Sequence, residues 1–197
     1  MVNYLHSHWQ PWVRRDVQSI LNEPMVASLK SGPYISIHVR RGDKLIGEAE
    51  GHDYLQMASS YISNSLEGNI SVDDVRGIWV SSDDVDVVSD VKQYIGYFFP
   101  QVEMKNIVSI SDRVLKRSKT LGKNMPTTTT RMEYASYVVF FAELEMMSQA
   151  NVFVGTFSSN VARMVVLMRE ATGLPRQSSM SVDRPTWYPT LRLRANV

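Results

Sequence analysis

Residues 35–44 read ISIHVRRGDK, an alternating apolar run that ends in a burst of charge. In an extended chain Ile35, Ile37 and Val39 fall on one side, Ser36 and His38 on the other, which predicts a strand that Tyr34 extends. The charged end reads in two ways. Arg41-Gly42-Asp43 is the adhesion tripeptide, or the basic residues close a strand that grips an anion. Adhesion needs a mobile exposed loop with both charges free for a partner, whereas here the charges follow directly on a buried strand. Arg40, Arg41 and Lys44 place three cations within five residues, and arginine's planar fork of donors suits a diphosphate. Taken alone, the same five residues also fit a solvated basic turn.

Outward from this strand the segments alternate. Upstream, WQPWVRRDVQSIL sets Val13, Val17, Ile20 and Leu21 on one helical face, with Pro11 in the first turn. Downstream, HDYLQMASSYISNSL has helical spacing through Tyr54, Met57, Ala58, Tyr61 and Ile62. GIWVSS predicts a short buried strand and VDVVSDVKQYI a helix with Val88, Val91 and Ile95 inward; a weaker strand is expected near Val102 to Val108. Residues 112–130 are polar and irregular, a surface loop. RMEYASYVVFFAELEMMSQA is the longest helix, NVFVG a strand, and SSNVARMVVLMREATG a last helix. Its inward stripe is Val161, Met164, Val165 and Met168, and Gly173 suits its C-terminal cap. Strands alternating with such helices predict an α/β fold, a parallel sheet with helices on both faces.

Composition sets the outer bounds. The chain of 197 residues is 44% hydrophobic and carries a formal charge of +1, so no global basic field points to nucleic acid or an anionic membrane. Cysteine is absent, which excludes disulfides, thiolate metal sites and cysteine nucleophiles. The N-terminal MVNYLHSHWQPWVRRD has no signal-like apolar run, and the longest apolar run, Val138 to Ala142, is core-sized. No membrane segment is expected within the sequence.

Ligands of open α/β sheets bind beyond the carboxyl ends of the strands, which singles out three loops. The first is Arg40 to Gly51. The second, Ser81 to Val85, is acidic through Asp83 and Asp84; paired aspartates suit a divalent cation, but helix capping and loop structure are the stronger reading. The third, Gly155 to Asn160, joins a strand to a helix, with Ser158 or Ser159 as the N-cap. A helix N-terminus offers amide donors and partial positive charge to a phosphate; the plain alternative is that the serines only cap.

These motifs carry a resemblance. HVRRGDK with Glu48 following resembles the first donor-binding motif of the α1,6-fucosyltransferase family; IWVSSDD resembles its second and SQANVFVGTFSSNVAR its third, and QPWV is similar to the stretch upstream. The resemblance runs from about Gln10 to Gly173. It implies the Rossmann-like donor-binding half of a GT-B-like glycosyltransferase, spanning residues 1–175, with 176–197 as a C-terminal tail. It further implies GDP-β-L-fucose as donor, a glycan acceptor such as the innermost GlcNAc of N-glycans, transfer with inversion, no cofactor or metal, and a Golgi lumenal setting. Within a larger protein of that kind, an anchor and further domains lie beyond the matching segment.

Roles carry over position by position. By resemblance Arg40 holds the β-phosphate beside Arg41, His38 lies along the guanine side, and Glu48 is the general base. Asp43, Lys44, Asp83 and Asp84 correspond to polar residues tied to activity, and Ser159, with Ser158 beside it, to a serine near the phosphates. Glu143 stands where the family has an aspartate that reads the guanine edge; glutamate keeps the acceptor pair and reaches one methylene further. The competing readings are a non-catalytic GDP-sugar-binding module and a fucosyltransferase acting on chitin oligosaccharide or on protein Ser/Thr.

Overall fold

The structure, a computed structural model, describes residues 9–40, 57–67, 70–84, 86–111 and 130–183. At its centre lies β1, Tyr34–Val39, all six residues buried. Parallel strands flank it: β2 (Gly77–Ser82) and β3 (Ile107–Val108) on one side, β4 (Val152–Gly155) and β5 (Ser179–Ser181) on the other, in the order β3-β2-β1-β4-β5. Register fixes the edges that matter: His38 pairs with Ser81 across β1 and β2, and Ile37 with Val154 across β1 and β4. This is an α/β Rossmann-like sheet. Its strand order reverses between β1 and β4, where such folds open a crevice.

Among the described residues six α-helices cover the two faces: α1 (Pro11–Leu21), α2 (Pro24–Lys30), α3 (Ala58–Ser65), α4 (Val87–Phe98), α5 (Thr130–Gln149) and α6 (Asn160–Ala171). Alternation along β1 sorts the layers. Ile35, Ile37 and Val39 join the core under α3 and α4, with Tyr61, Ile62, Val91 and Ile95. Tyr34 faces the other core, under α1, α2, α5 and α6, with Trp79, Met146, Met147 and Val165. On that side Ser36 donates to the Met147 carbonyl at 3.4 Å. The two-sided burial follows from parallel pairing, which needs helical crossovers on both faces.

Several details depart from the periodicity. Met57, expected inward, precedes α3 and is 54% exposed; the residues of that predicted helix before it, Tyr54 among them, lie outside the described set. Val87, not Val88, is the first fully buried residue of α4, because the helix begins there. In α6 the buried set is Ala162, Val165, Val166, Met168 and Arg169, while Val161 and Met164 are only partly covered. Gly173, with φ +82°, closes α6 in the left-handed region that glycine adopts without strain. Two elements were not anticipated. The seven-residue α2 starts at Pro24, and β5 continues the sheet past residue 175 through Ser-Met-Ser.

Arg169 fastens this arrangement. It is 1% exposed, and its guanidinium donates to the carbonyls of Met147, Ser148, Ala150, Asn151 and Ser178 and to the hydroxyls of Ser178 and Ser179. The carbonyls at the end of α5 have no helical partner of their own, and the arginine supplies one. Burial lowers its pKa to about 10, with the nearby Tyr34 working the other way, so it is charged at neutral pH.

Arg169→Lys keeps the charge and loses the fork, leaving several buried carbonyls unsatisfied. A stability loss of about 3 kcal/mol is expected, read as a lower urea midpoint. Gly77→Ala is also destabilising, by roughly 1–3 kcal/mol, because its Cβ would lie 2.9 Å from the Asn106 carbonyl oxygen and closer still to Leu29.

Candidate functional site

The residue pattern that sorts the cores also collects polar groups at one end. Tyr34, Ser36 and His38 alternate on the α5 side of β1, and Trp79 and Ser81 on the same side of β2, so His38 and Ser81 arrive side by side at the carboxyl edge. Glu143 lies on α5 one turn before Met146 and Met147, both fully buried, and therefore on the stripe that faces the sheet. It is 8% exposed, far from a helix's solvent edge.

Two serines receive the Glu143 carboxylate. Ser111, three residues past β3, donates its hydroxyl to Glu143 Oε1, and Ser81 hydrogen-bonds the same side chain. Ser111 Oγ in turn accepts the Ser82 amide at 3.1 Å. Burial pushes the Glu143 pKa up to about 7 despite the two hydroxyls, which pull it down.

His38 is buried beside this pair, and its Nδ1 has no hydrogen-bond partner among the described residues. Burial lowers its pKa to about 4, with Asp83 raising it and Arg40 lowering it in turn, so the imidazole is neutral above that pH. Thus the structure brings His38, Arg40, Asp83 and Glu143 to one edge. Asp84 serves the loop: its amide is taken by Ser82 Oγ at 3.0 Å, and its carboxylate accepts the Asp86 amide at 3.1 Å. Among the described residues no group of three His, Asp or Glu side chains is placed to hold a metal. Arg41, Asp43, Lys44 and Glu48 lie outside the described residues.

The third loop follows β4, the other neighbour of β1. Ser159 is the N-cap of α6, in extended conformation, but its side chain makes no cap hydrogen bond. The loop amides have another partner. Asp183 accepts Phe157 N–H at 2.7 Å and Ser158 N–H at 3.1 Å, while Ser181 Oγ donates to the same carboxylate at 2.6 Å. Burial alone would raise the Asp183 pKa; the Ser158 and Ser181 hydroxyls and the two amides outweigh it and hold the carboxylate below its usual range. An anion arriving here therefore meets the Ser159 hydroxyl and the first turn of α6, with two loop amides and the Ser158 hydroxyl already engaged by Asp183.

Sequence reasoning overlooked Ser111 and Asp183. The available signal was positional: each is a polar residue just past the end of a strand, in SIS and SMSVD, where the sheet's ligand edge begins.

Among the described residues no helix is long and apolar enough to cross a membrane. A family model described as alpha-(1,6)-fucosyltransferase N- and catalytic domains matches residues 1–180. No curated protein matches the chain.

The Glu143 environment has a measurable consequence. A carboxyl whose folded pKa lies above its unfolded value of 4.5 contributes most below that value, and its contribution is lost as pH rises through about 7. Relative to Glu143→Gln, the wild type is expected to lose about 3 kcal/mol of stability over that window. Paired urea unfolding of the two proteins, below and above the window, measures it.

Proposed function

Since the chain belongs to the α-(1,6)-fucosyltransferase family and is a fucosyltransferase domain of that kind, we propose that it binds GDP-β-L-fucose at the carboxyl edge of β1, β2 and β4 and transfers fucose, with inversion, to a sugar hydroxyl. The acceptor proposed is the innermost GlcNAc of N-glycans, reached by an α1,6 linkage in the Golgi lumen. The observation that carries the donor assignment is the buried Glu143 carboxylate, bonded by Ser81, which pairs in register with His38, whose Nδ1 has no hydrogen-bond partner among the described residues. A paired acceptor next to an unsatisfied imidazole is suited to a base with adjacent N–H donors.

In this reading Glu143 accepts N1–H and N2–H of guanine and His38 lies along the nucleoside. Arg40, immediately after β1, holds the β-phosphate with Arg41, and Ser158 and Ser159 approach it from the neighbouring loop. Cleaving the fucose–phosphate bond builds negative charge on the departing diphosphate, and a fixed guanidinium stabilises that charge as it grows. On the opposite face a carboxylate takes the proton of the attacking hydroxyl; Glu48 has that role, and Asp43 is the alternative. Lys44, Asp83 and Asp84 support the same loops, Asp83 through its electrostatic pull on His38. The arginines neutralise the diphosphate, so no metal takes part.

Calorimetry tests the donor first. GDP is expected to bind and ADP and UDP not to, in the presence of excess EDTA as in its absence; equal affinity for the three nucleotides, or binding that needs Mn²⁺, refutes the assignment. Two variants then divide binding from chemistry. Arg40→Lys should lose GDP affinity and turnover together, by roughly ten- to a thousand-fold. Glu48→Gln should bind GDP as wild type does while transfer collapses; unimpaired transfer would move the base to Asp43, and unimpaired binding by Arg40→Lys would move the phosphate site.

A further inference from the structure

A carboxylate that reads a pair of N–H donors has to be ionised and held in one orientation, and burial opposes the first requirement. Glu143 has both difficulties: it is nearly inaccessible, and it projects from a helix across the end of a sheet. Ser111 answers them through the direction of its hydrogen bonds. A serine hydroxyl has one proton and two lone pairs. The Ser82 amide, which can only donate, occupies an acceptor position on Ser111 Oγ at 3.1 Å, and the Ser111 proton goes to Glu143 Oε1. The chain amide, hydroxyl, carboxylate therefore has one polarity, with each bond strengthening the next. Ser111 is itself 7% exposed and Ser82 likewise 7%, so water has little access to substitute for either.

We propose that Ser111 is the positioning residue for Glu143: oriented by the Ser82 amide, its hydroxyl anchors Oε1 and so fixes the plane in which the carboxylate meets the nucleobase. This rests on the reading of Glu143 as the guanine acceptor. Burial and the two serine hydroxyls set the shift of Glu143. The titratable and charged groups on the described elements packed around α5 are Arg14, Arg15 and Asp16 on α1, Tyr34, His38 and Arg40 on or just after β1, Asp83 and Asp84 after β2, and Arg163, Arg169 and Glu170 on α6; Tyr134, Tyr137 and Glu145 share its helix.

The test is GDP binding by the full chain as a function of pH, from about pH 5.5 to 8.5, for wild type, Ser111→Ala, Ser111→Thr and Glu143→Gln. Dividing each variant's affinity by that of wild type at the same pH cancels the titration of the ligand's phosphate. Wild-type affinity rises with pH as the acceptor ionises. Ser111→Ala moves that rise to higher pH by about one unit, so GDP binds about tenfold more weakly on the acid side and the deficit narrows on the alkaline side. Ser111→Thr, which retains the hydroxyl, restores the wild-type profile. Should the alanine protein fail to fold, Ser111→Cys, similar in volume and a weak donor, reads the same displacement. Affinity reduced equally at every pH, with the rise unmoved, marks a merely structural serine and overturns the proposal while leaving the guanine assignment standing. Glu143→Gln binding GDP as tightly as wild type overturns both.

Discussion

A buried arginine without a carboxylate among its described partners is the constraint on which this fold turns. The Arg169 guanidinium gathers the carbonyls that end α5, those that lead into β4, and the residues that lead into β5. Each of those oxygens sits where a chain changes direction in a place closed to water, and each would be costly if left alone. One side chain satisfies them together because a planar fork can reach several partners at once. Tyr34 adds to the same junction: its hydroxyl donates to the Met146 carbonyl at 2.7 Å, and its amide is held by the Asn151 side chain at 3.0 Å. The amino ends of β1 and β4 are thereby fixed relative to the carboxyl end of α5. Glu143 is four residues before Met147 on that helix, so the position of the candidate site is inherited from the far end of the same element.

The opposite edge of the sheet carries the contrary design. There the buried polar groups are incompletely satisfied among the described residues, as with His38 Nδ1, or held against the preference of their surroundings, as with Glu143. A core that saturates its carbonyls at one end of a strand and leaves an imidazole nitrogen open at the other is divided between stability and recognition. Such unsatisfied groups are costly in an apolar interior and are concentrated where a ligand completes them.

Much of this organisation was legible in the residues. The alternation of ISIHV set the strand and both of its faces, and the order of apolar patterns gave the parallel sheet and its three ligand-edge loops. What escaped did so for physical reasons. Ser-Met-Ser has neither the length nor the β-branched content that announces a strand, and β5 forms because β4 offers it an edge. Arg169 reads as an ordinary solvated charge near a helix end, since nothing local reveals that carbonyls distant in sequence converge on it. Glu143 fits a helix surface as well as a site when only the sequence is considered, because the run VVFFAELEMM is apolar around too much of the helix to show which side is inward. Ser111 offered only its position past a strand, and its role stayed hidden for a simpler reason. Hydrogen-bond direction depends on the Ser82 amide, which belongs to another strand.

The clasp between Asp183 and the loop after β4 bears on the order in which the chain is made. Phe157 and Ser158 leave the ribosome ahead of the carboxylate that engages their amides, and that carboxylate is carried two residues beyond β5, which pairs with β4. The loop at the head of α6 is therefore finished late, by residues beyond the family match, which ends at residue 180. A domain cut at that boundary would contain every strand partner except Ser181 and would lack the anion its own loop is built around.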